Sequence, residues 1–275
     1  MGLGGYLTWT ALAREIKNRH NVKVIPVEVH GGITKLIKSQ IFYNNSNFIQ
    51  DFNNDAGLQI VLNNPQTNYC EKDTPTKVFH KSNKHIIETI CNAYGIKNPE
   101  LKCDLFLDKQ ENSVVNTIYQ KLPNEFLTIE PFSKSNYTQN RAYPIEKFQK
   151  VVDKLYNDIP IVQIGLPGPT RLENVIDLTG KTTFREAAGV IGKSRLFIAT
   201  ESGLVHASTA VKTKSIVIIT GYQTERMVAY PQNINVNISK HGPCGLKVTC
   251  EVCKEEAIKH DEQEIVSIIR GELCL

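Results

Sequence analysis

The sequence predicts an α/β protein built of two Rossmann-like domains with a cleft between them. Three observations carry this expectation. Strand-like and helix-like hydrophobic patterns alternate along most of the chain. Several strand candidates, such as "IPIVQIG" at 159–165, are near-continuous apolar runs of the kind that parallel sheets bury on both faces. Leu122-Pro123-Asn124 punctuates the chain close to its middle, and the alternation then starts afresh. These features place one domain at 1–122 and a second at 123–275, each with right-handed crossovers.

Size and charge agree with that division. A chain of 275 residues, 41% hydrophobic and 22% charged, is long enough for two domains with their own cores. No apolar run approaches the roughly 18 residues that span a bilayer, and the start lacks the order of a secretory signal, so the expected location is cytoplasmic. A net charge of +4 is too mild for a nucleic-acid binder and suits a basic pocket for an anionic ligand.

In the first half, Leu7, Leu12, Ala13 and Ile16 recur at helical spacing after the glycine-rich "MGLGG". "VKVIPVEV" (Val22 to Val29) then reads as a buried strand, a short helix is expected from Ile33, and an Asn-rich loop fills Asn44 to Asn54. A strand follows from Leu58. Ile86, Ile87, Ile90 and Cys91 lie on one face of a helix that stops at Gly95, and another helix covers Glu111 to Gln120. A doubly wound domain ordinarily opens with a strand before its first glycine-rich turn, and none precedes Gly2. The N-terminal domain is therefore expected to lack its first strand.

The second half reads as a strand (Phe126 to Ile129), a polar loop, a helix (Ile145 to Tyr156), the strand in "IPIVQIG", the strand in "NVIDL" and a helix over Phe184 to Ile191. "RLFIAT", a helix from Gly203 and "SIVIIT" complete the series.

The polar stretch "ATESGLVHASTA" sits where the strand in "RLFIAT" hands over to a helix. A helix N-terminus has unpaired N–H groups and about half a positive charge, so it attracts phosphate. Thr200, Glu201 and Ser202 lead into it; Gly203 lets a ligand approach the backbone, and His206 lies about one turn in. The same residues would also make an ordinary helix cap. Their place at a strand's carboxyl end, where such sheets bind ligands, favours a diphosphate cradle.

Seven cysteines at uneven spacing argue against a disulfide scaffold. Cys70, Cys91, Cys103 and Cys274 read as buried small hydrophobes. "HGPCGLKVTCEVC" instead gathers His241, Cys244, Cys250 and Cys253 in 13 residues, which fits either a structural zinc or iron ion or reduced structural thiols.

"ESGLVH" resembles the Asp-(Ser/Thr)-Gly-Leu-x-His signature of the family-nine glycosyltransferases, the heptosyltransferases of lipopolysaccharide synthesis, which have the two-domain GT-B fold. "LGGYLTWTALARE" is similar to that family's first turn and helix, and "QIGLPGPTRLENVIDLTGKTTFREAAGVIGKSRLFIAT" to its donor-domain elements, with "SIVIITG" following in order. The resemblance covers most of the second half and about 20 residues of the first.

The resemblance implies transfer of a sugar, such as a heptose, from a nucleotide diphosphate-sugar to a hydroxyl of a glycan or lipid-linked glycan, and is compatible with peripheral association with the inner membrane. Glu201 would approach the donor sugar, one methylene longer than the family's Asp. Ser202, Gly203 and Leu204 would meet the diphosphate, with Thr200 and His206 beside them. The family's phosphate-holding loop corresponds to "EPFSKSNYTQNRAYP", giving Ser133, Lys134 and Arg141; Lys181 and Thr182 in "LTGKTT" are further candidates. Some heptosyltransferase relatives that modify adhesins carry a cysteine-bound metal, but the transfer itself would need no cofactor, which predicts that it is insensitive to chelators.

One departure bears on catalysis. The family's proposed base, an Asp in the first glycine-rich turn, aligns with Gly5 here, which cannot accept a proton. Glu28, His30 and Glu130 are possible replacements, and the catalytic residue is left unassigned. The alternatives are a GT-B nucleotide-sugar epimerase and a nucleotide-sugar-binding protein without turnover.

Overall fold

A computed structural model describes residues 1–51, 57–68, 70–80, 83–132, 138–167 and 171–275. The first half opens with helix α1 (Leu3–His20), followed by strands β1 (Lys23–His30), β2 (Ile33–Leu36) and β3 (Gly57–Val61). β1 is central, antiparallel to β2 and parallel to β3. The helix expected from Ile33 is therefore a strand. Gly31 and Gly32 both take positive φ (56° and 81°), which turns the chain tightly back along β1.

Strands β4 (Cys70–Thr74) and β5 (Lys77–His80) form a separate hairpin that the sequence pattern did not disclose. Helix α2 (Ile86–Ala93) starts on a cap in which His85 Nδ1 accepts from the Ile87 N–H and the Glu88 carboxylate accepts from the His85 N–H. It ends as expected before Gly95, at φ 73°. Helix α3 (Lys109–Tyr119) closes this half. Among the described residues, the N-terminal half is thus a three-stranded layer that opens on a helix, together with the separate hairpin, and the doubly wound sheet lies in the second half.

That half contains β6 (Leu127–Glu130), α4 (Ile145–Leu155), β7 (Ile161–Gln163), β8 (Ile176–Asp177), α5 (Phe184–Ile191), β9 (Phe197–Thr200), α6 (Gly203–Ala210), β10 (Ser215–Ile219), α7 (Glu225–Val228), β11 (Ile234–Asn237), α8 (Glu251–Lys259) and α9 (Gln263–Leu273). Its strands are parallel, in the order β11-β10-β9-β6-β7-β8. From β6 the chain winds outward to β8, then returns to lay β9, β10 and β11 on the other side. The order reverses between β6 and β9, and ligands of such sheets bind outside the strand ends at that switch point.

The two-residue period sorts the strands into two cores. Ile129, Ile198, Ile216 and Ile218 pack with α4, α8 and α9. Phe197, Ala199, Val217 and Ile219 face the other way, into a core that also holds Ala187 of α5, Val205 of α6, Trp9 of α1 and Ile87 of α2. The second core therefore runs without a break under both halves. Arg185, 1% exposed, ties them further. It donates from Nε and Nη2 to Glu111 on α3 (2.5 and 2.8 Å), from Nη1 to the Gln40 carbonyl (2.8 Å) and from Nη2 to the Phe106 carbonyl (2.5 Å).

Cys91 and Cys103 are buried as expected, whereas Cys274 is exposed: it follows the last turn of α9 at the left-handed C-cap, where nothing covers it. The side chain of Cys70 lies outside what the structure describes. Among the described residues, no helix is long and apolar enough to cross a membrane.

Candidate donor site

β6 ends in Glu130, and β9 leads through Glu201 and Ser202 into α6. Ser202 is extended, which brings its Oγ back to accept from the Val205 N–H (3.4 Å), an ordinary N-cap. The same hydroxyl donates to Glu130 Oε2 (2.5 Å). A cavity of about 760 Å³ opens here, between these strand ends and the start of α1, and falls within the size range of small-molecule sites.

Two helix N-termini meet in the wall. Gly4 of α1 lies against Gly203 of α6 so closely that a Cβ on Gly4 would stand 2.7 Å from Gly203 Cα and 3.2 Å from His206 Cδ2. Only glycine fits this contact. α1 has no acidic residue in its first turn and no side-chain cap, so its amides, like those of α6, add positive potential to the cavity. Arg141 lines the same space, with its guanidinium 5.0 Å from the centroid of the Tyr222 ring.

Two carboxyl groups face this potential, and both are buried: Glu130 is 7% and Glu201 4% exposed. Burial pushes Glu130 up to about 8, partly offset by the hydrogen bond from Ser202. Burial likewise raises Glu201 to about 7, against the opposing charge of Arg141. Glu201 Oε1 accepts from the N–H and hydroxyl of Thr220 (3.4 Å each), whereas Oε2 has no hydrogen-bond partner among the described residues. Such an acceptor is costly when left dry and is suited to a ligand hydroxyl. His206 shares its Nδ1 with the Tyr230 hydroxyl (2.6 Å), and burial and then the Arg141 charge lower it to about 4. The imidazole is neutral near pH 7 and works as a hydrogen-bonding group.

Of the sequence candidates, Arg141, Glu201, Ser202, Gly203, Leu204 and His206 all line this cavity, and Thr182 joins them. Thr200 is buried at the end of β9, outside the lining. Lys181 is also outside it: its exposed ammonium donates to the Asp177 carbonyl (2.6 Å), turned along β8. Ser133 and Lys134 lie outside the described residues. Gly5 is in the wall but supplies no side chain. Glu28 and His30 pair with each other at the end of β1 (3.3 Å), away from the lining, whereas Glu130 is part of it. Tyr222, Gln223 and Phe184 also line the cavity and were not anticipated. Tyr222 and Gln223 follow the carboxyl end of β10, the positional signal by which they could have been found.

The thiols of Cys244, Cys250 and Cys253 come together, with their sulfurs all within 4.8 Å of one another and buried. His241 is exposed and outside this group, because the turn that carries it faces solvent. The Cys244 thiol is pushed down to about 6, chiefly by its hydrogen bond with Cys253, and Cys253 is raised by the same contact.

The family model described as Glycosyltransferase family 9 (heptosyltransferase) matches residues 77–258, about two thirds of the chain. The chain belongs to glycosyltransferase family 9. Solved structures agree with this membership. The glycosyl transferase family 9 protein of Veillonella parvula superposes on 100% of this family-9 chain and 95% of its own, with TM-score 0.67 and 12% identity. TibC of enterotoxigenic E. coli, described as an iron-containing dodecameric glycosyltransferase, covers 99% of this chain and 74% of its own, with TM-score 0.66 and 12% identity. E. coli ADP-heptose lps heptosyltransferase II matches 70% of the chain with TM-score 0.53 and 13% identity, and the chain spans 62% of that protein's length. Likenesses at this identity show a GT-B-type fold. No curated protein matches the chain in sequence.

Proposed function

We propose that this chain is a glycosyltransferase that binds a nucleoside-diphosphate sugar at the switch point and moves the sugar to a hydroxyl acceptor. The observation that carries this reading is the meeting of two helix N-termini and Arg141 around a cavity that also holds two buried carboxyls. Residues 123–275 hold the donor and 1–122 present the acceptor. α6, Arg141 and neutral His206 receive the diphosphate, and the unpartnered Oε2 of Glu201 receives a sugar hydroxyl.

In the reaction, the acceptor oxygen bonds to the anomeric carbon, the bond from that carbon to the diphosphate breaks, and the acceptor proton passes to a base. Among the described lining residues, the first half brings no carboxyl or imidazole, so the base comes from the second. Glu130 fills this role: its pKa near 8 gives it the affinity for a proton that Gly5 cannot supply.

A heptose donor and a surface-glycan acceptor are the finer reading, supported by neighbours named as heptosyltransferases, one of them in complex with ADP-D-beta-D-heptose. The site acts without a nucleic acid and in the cytoplasm, with the acceptor at the inner membrane. The three clustered thiols fit a thiolate-bound zinc or iron, because tetrahedral metal–sulfur bonds of about 2.3 Å set sulfurs roughly 3.8 Å apart. TibC is described as iron-containing. Bound there, an ion would cross-link the loop and supply no group to the substrate.

The test is incubation with ADP-, GDP-, UDP- and CDP-sugars with and without glycan acceptors. Acceptor-dependent release of a nucleoside diphosphate supports transfer. Product without acceptor would mean an epimerase, and binding without product a carrier, the reading that Gly5 favours.

A further inference from the structure

Three hydrogen bonds converge on the side chain of Asn140, which is 6% exposed. Its Nδ2 donates to the carbonyls of Leu246 (2.7 Å) and Val248 (2.8 Å), and its Oδ1 accepts from the Cys250 N–H (2.8 Å). All three partners belong to the loop that carries the thiol cluster. On its other side, the Asn140 carbonyl accepts from the Thr220 hydroxyl (2.7 Å), and Thr220 in turn reaches Glu201. The next residue is Arg141. Its guanidinium rests over Tyr222, a side chain that packs among the three cysteines. The loop also holds the strand end itself, because the Cys244 N–H donates to the Gly221 carbonyl (2.9 Å) and the Gly245 N–H to that of Tyr222 (3.3 Å).

The cysteine loop and two cavity-lining segments, at 140–141 and 220–223, are therefore one bonded unit, and Asn140 touches every part of it. Few side chains could replace it. A planar amide offers two donors and an acceptor at one point; a carboxylate would face two carbonyls, and alanine would leave the buried Cys250 N–H without its acceptor, the Val248 carbonyl without its donor and the Leu246 carbonyl with the Thr138 hydroxyl alone. Arg141 is a long side chain on the wall of an anion site, and its ordering costs affinity unless the backbone already aims it.

We propose that Asn140 is a positioning residue for the donor site: it transmits the placement of the cysteine loop to Arg141 and so sets how tightly the cavity binds a nucleoside diphosphate. This rests on the donor-site reading above. It also revises the expectation that chelators leave transfer untouched, because loss of an ion from the cluster would act on donor affinity through Asn140 and Arg141.

The experiment is calorimetric titration of the full chain with ADP, GDP, UDP and CDP, with thermal unfolding of each variant alongside. Asn140→Ala and Asn140→Asp should weaken the nucleotide that binds wild type by at least tenfold. In an Arg141→Ala background, Asn140→Ala should add less than twofold, because it acts through Arg141. Asn140→Asp keeps the volume and the acceptor for Cys250, and serves if Asn140→Ala does not fold. Wild-type affinity in Asn140→Asp overturns the proposal, as does a full additional loss in the Arg141→Ala background, which marks a merely structural role. A wild type that binds none of the four nucleotides removes the donor-site reading and this inference with it.

Discussion

The hydroxyl of Ser202 donates to Oε2 of Glu130 across 2.5 Å, so the residue that caps α6 also holds the buried carboxyl at the end of β6. The anion cradle and the proposed base are thus linked through one oxygen. Ser202→Ala removes a cap worth about 1 kcal/mol and leaves Glu130 without its donor. Chemical denaturation should show that loss, and calorimetry should show weaker nucleotide binding. An unchanged affinity would separate the cap from the cradle.

If Glu130 is the base, only its ionised form works. Transfer at saturating substrates should rise with pH toward about 8 and then level off. Glu130→Gln should lower kcat at least 100-fold, the lower range of general-base contributions, and flatten this limb. A pH–rate profile of Glu130→Gln that matches wild type would move the role elsewhere.

The same carboxyl makes stability depend on pH. In the unfolded chain it ionises near 4.5, whereas the folded protein keeps its proton to about 8. Its stabilising contribution is full below 4.5, declines as pH rises between these values and is lost above about 8. Thermal unfolding at pH 5 and pH 9 should show a smaller drop for Glu130→Gln than for wild type; equal drops would show that Glu130 is not the group responsible.

Gly4 and Gly2 make a matched pair. Both stand at the start of α1, but a methyl on Gly2 meets nothing within 4 Å, whereas one on Gly4 runs into the backbone of Gly203. Gly4→Ala should cost about 1–3 kcal/mol despite alanine's helix propensity, and should weaken nucleotide binding by pushing α1 from α6. Gly2→Ala, at the N-cap and free of that contact, should cost only up to about 1 kcal/mol, the preference of the position for glycine. Denaturant midpoints of the two variants check this directly.

Arg185→Ala would leave the Glu111 carboxylate with the Asp108 N–H as its remaining hydrogen-bond partner among the described residues and take a donor from two carbonyls in the seam between the halves. A loss of about 2–3 kcal/mol is expected, with little rescue by lysine, which lacks the forked donors. Equilibrium unfolding of both variants measures it.

Metal analysis of the purified protein should find zinc or iron that disappears in Cys250→Ser/Cys253→Ser. Chelation should raise KM for the donor and leave kcat at saturating donor in place, since the cluster touches the cavity wall and not the substrate. A fall in kcat alone would place the metal in the chemistry.

The second half was largely legible because its signals are local. Buried parallel strands print as apolar runs, and the turn Glu201–Gly203 carries its own cap and its own glycine. The bounds read for α5, Phe184 to Ile191, are those of the helix, which the structure shows to be capped by Thr183. The first half depended on tertiary choices. Whether "ITKLIKS" forms a helix or a strand was decided by the two glycines before it, and β5 is held partly by the Gly245 carbonyl, far along the chain. Glu130 opens the loop "EPFSKSNYTQNRAYP", but nothing in that loop marks it as a base, and the register of β6 against β9 brings it beside Ser202. Asn140 and Tyr230 gave no sequence signal, because their partners are distant segments.

The apolar core that passes under both halves also bears on how the molecule could work. Trp9 and Ile87 share it with Phe197 and Val217, so parting the halves would wet a face that each needs dry. A swing of the first half away from the second therefore carries the cost of wetting that shared core, which favours a fixed roof over the crevice rather than a swinging jaw.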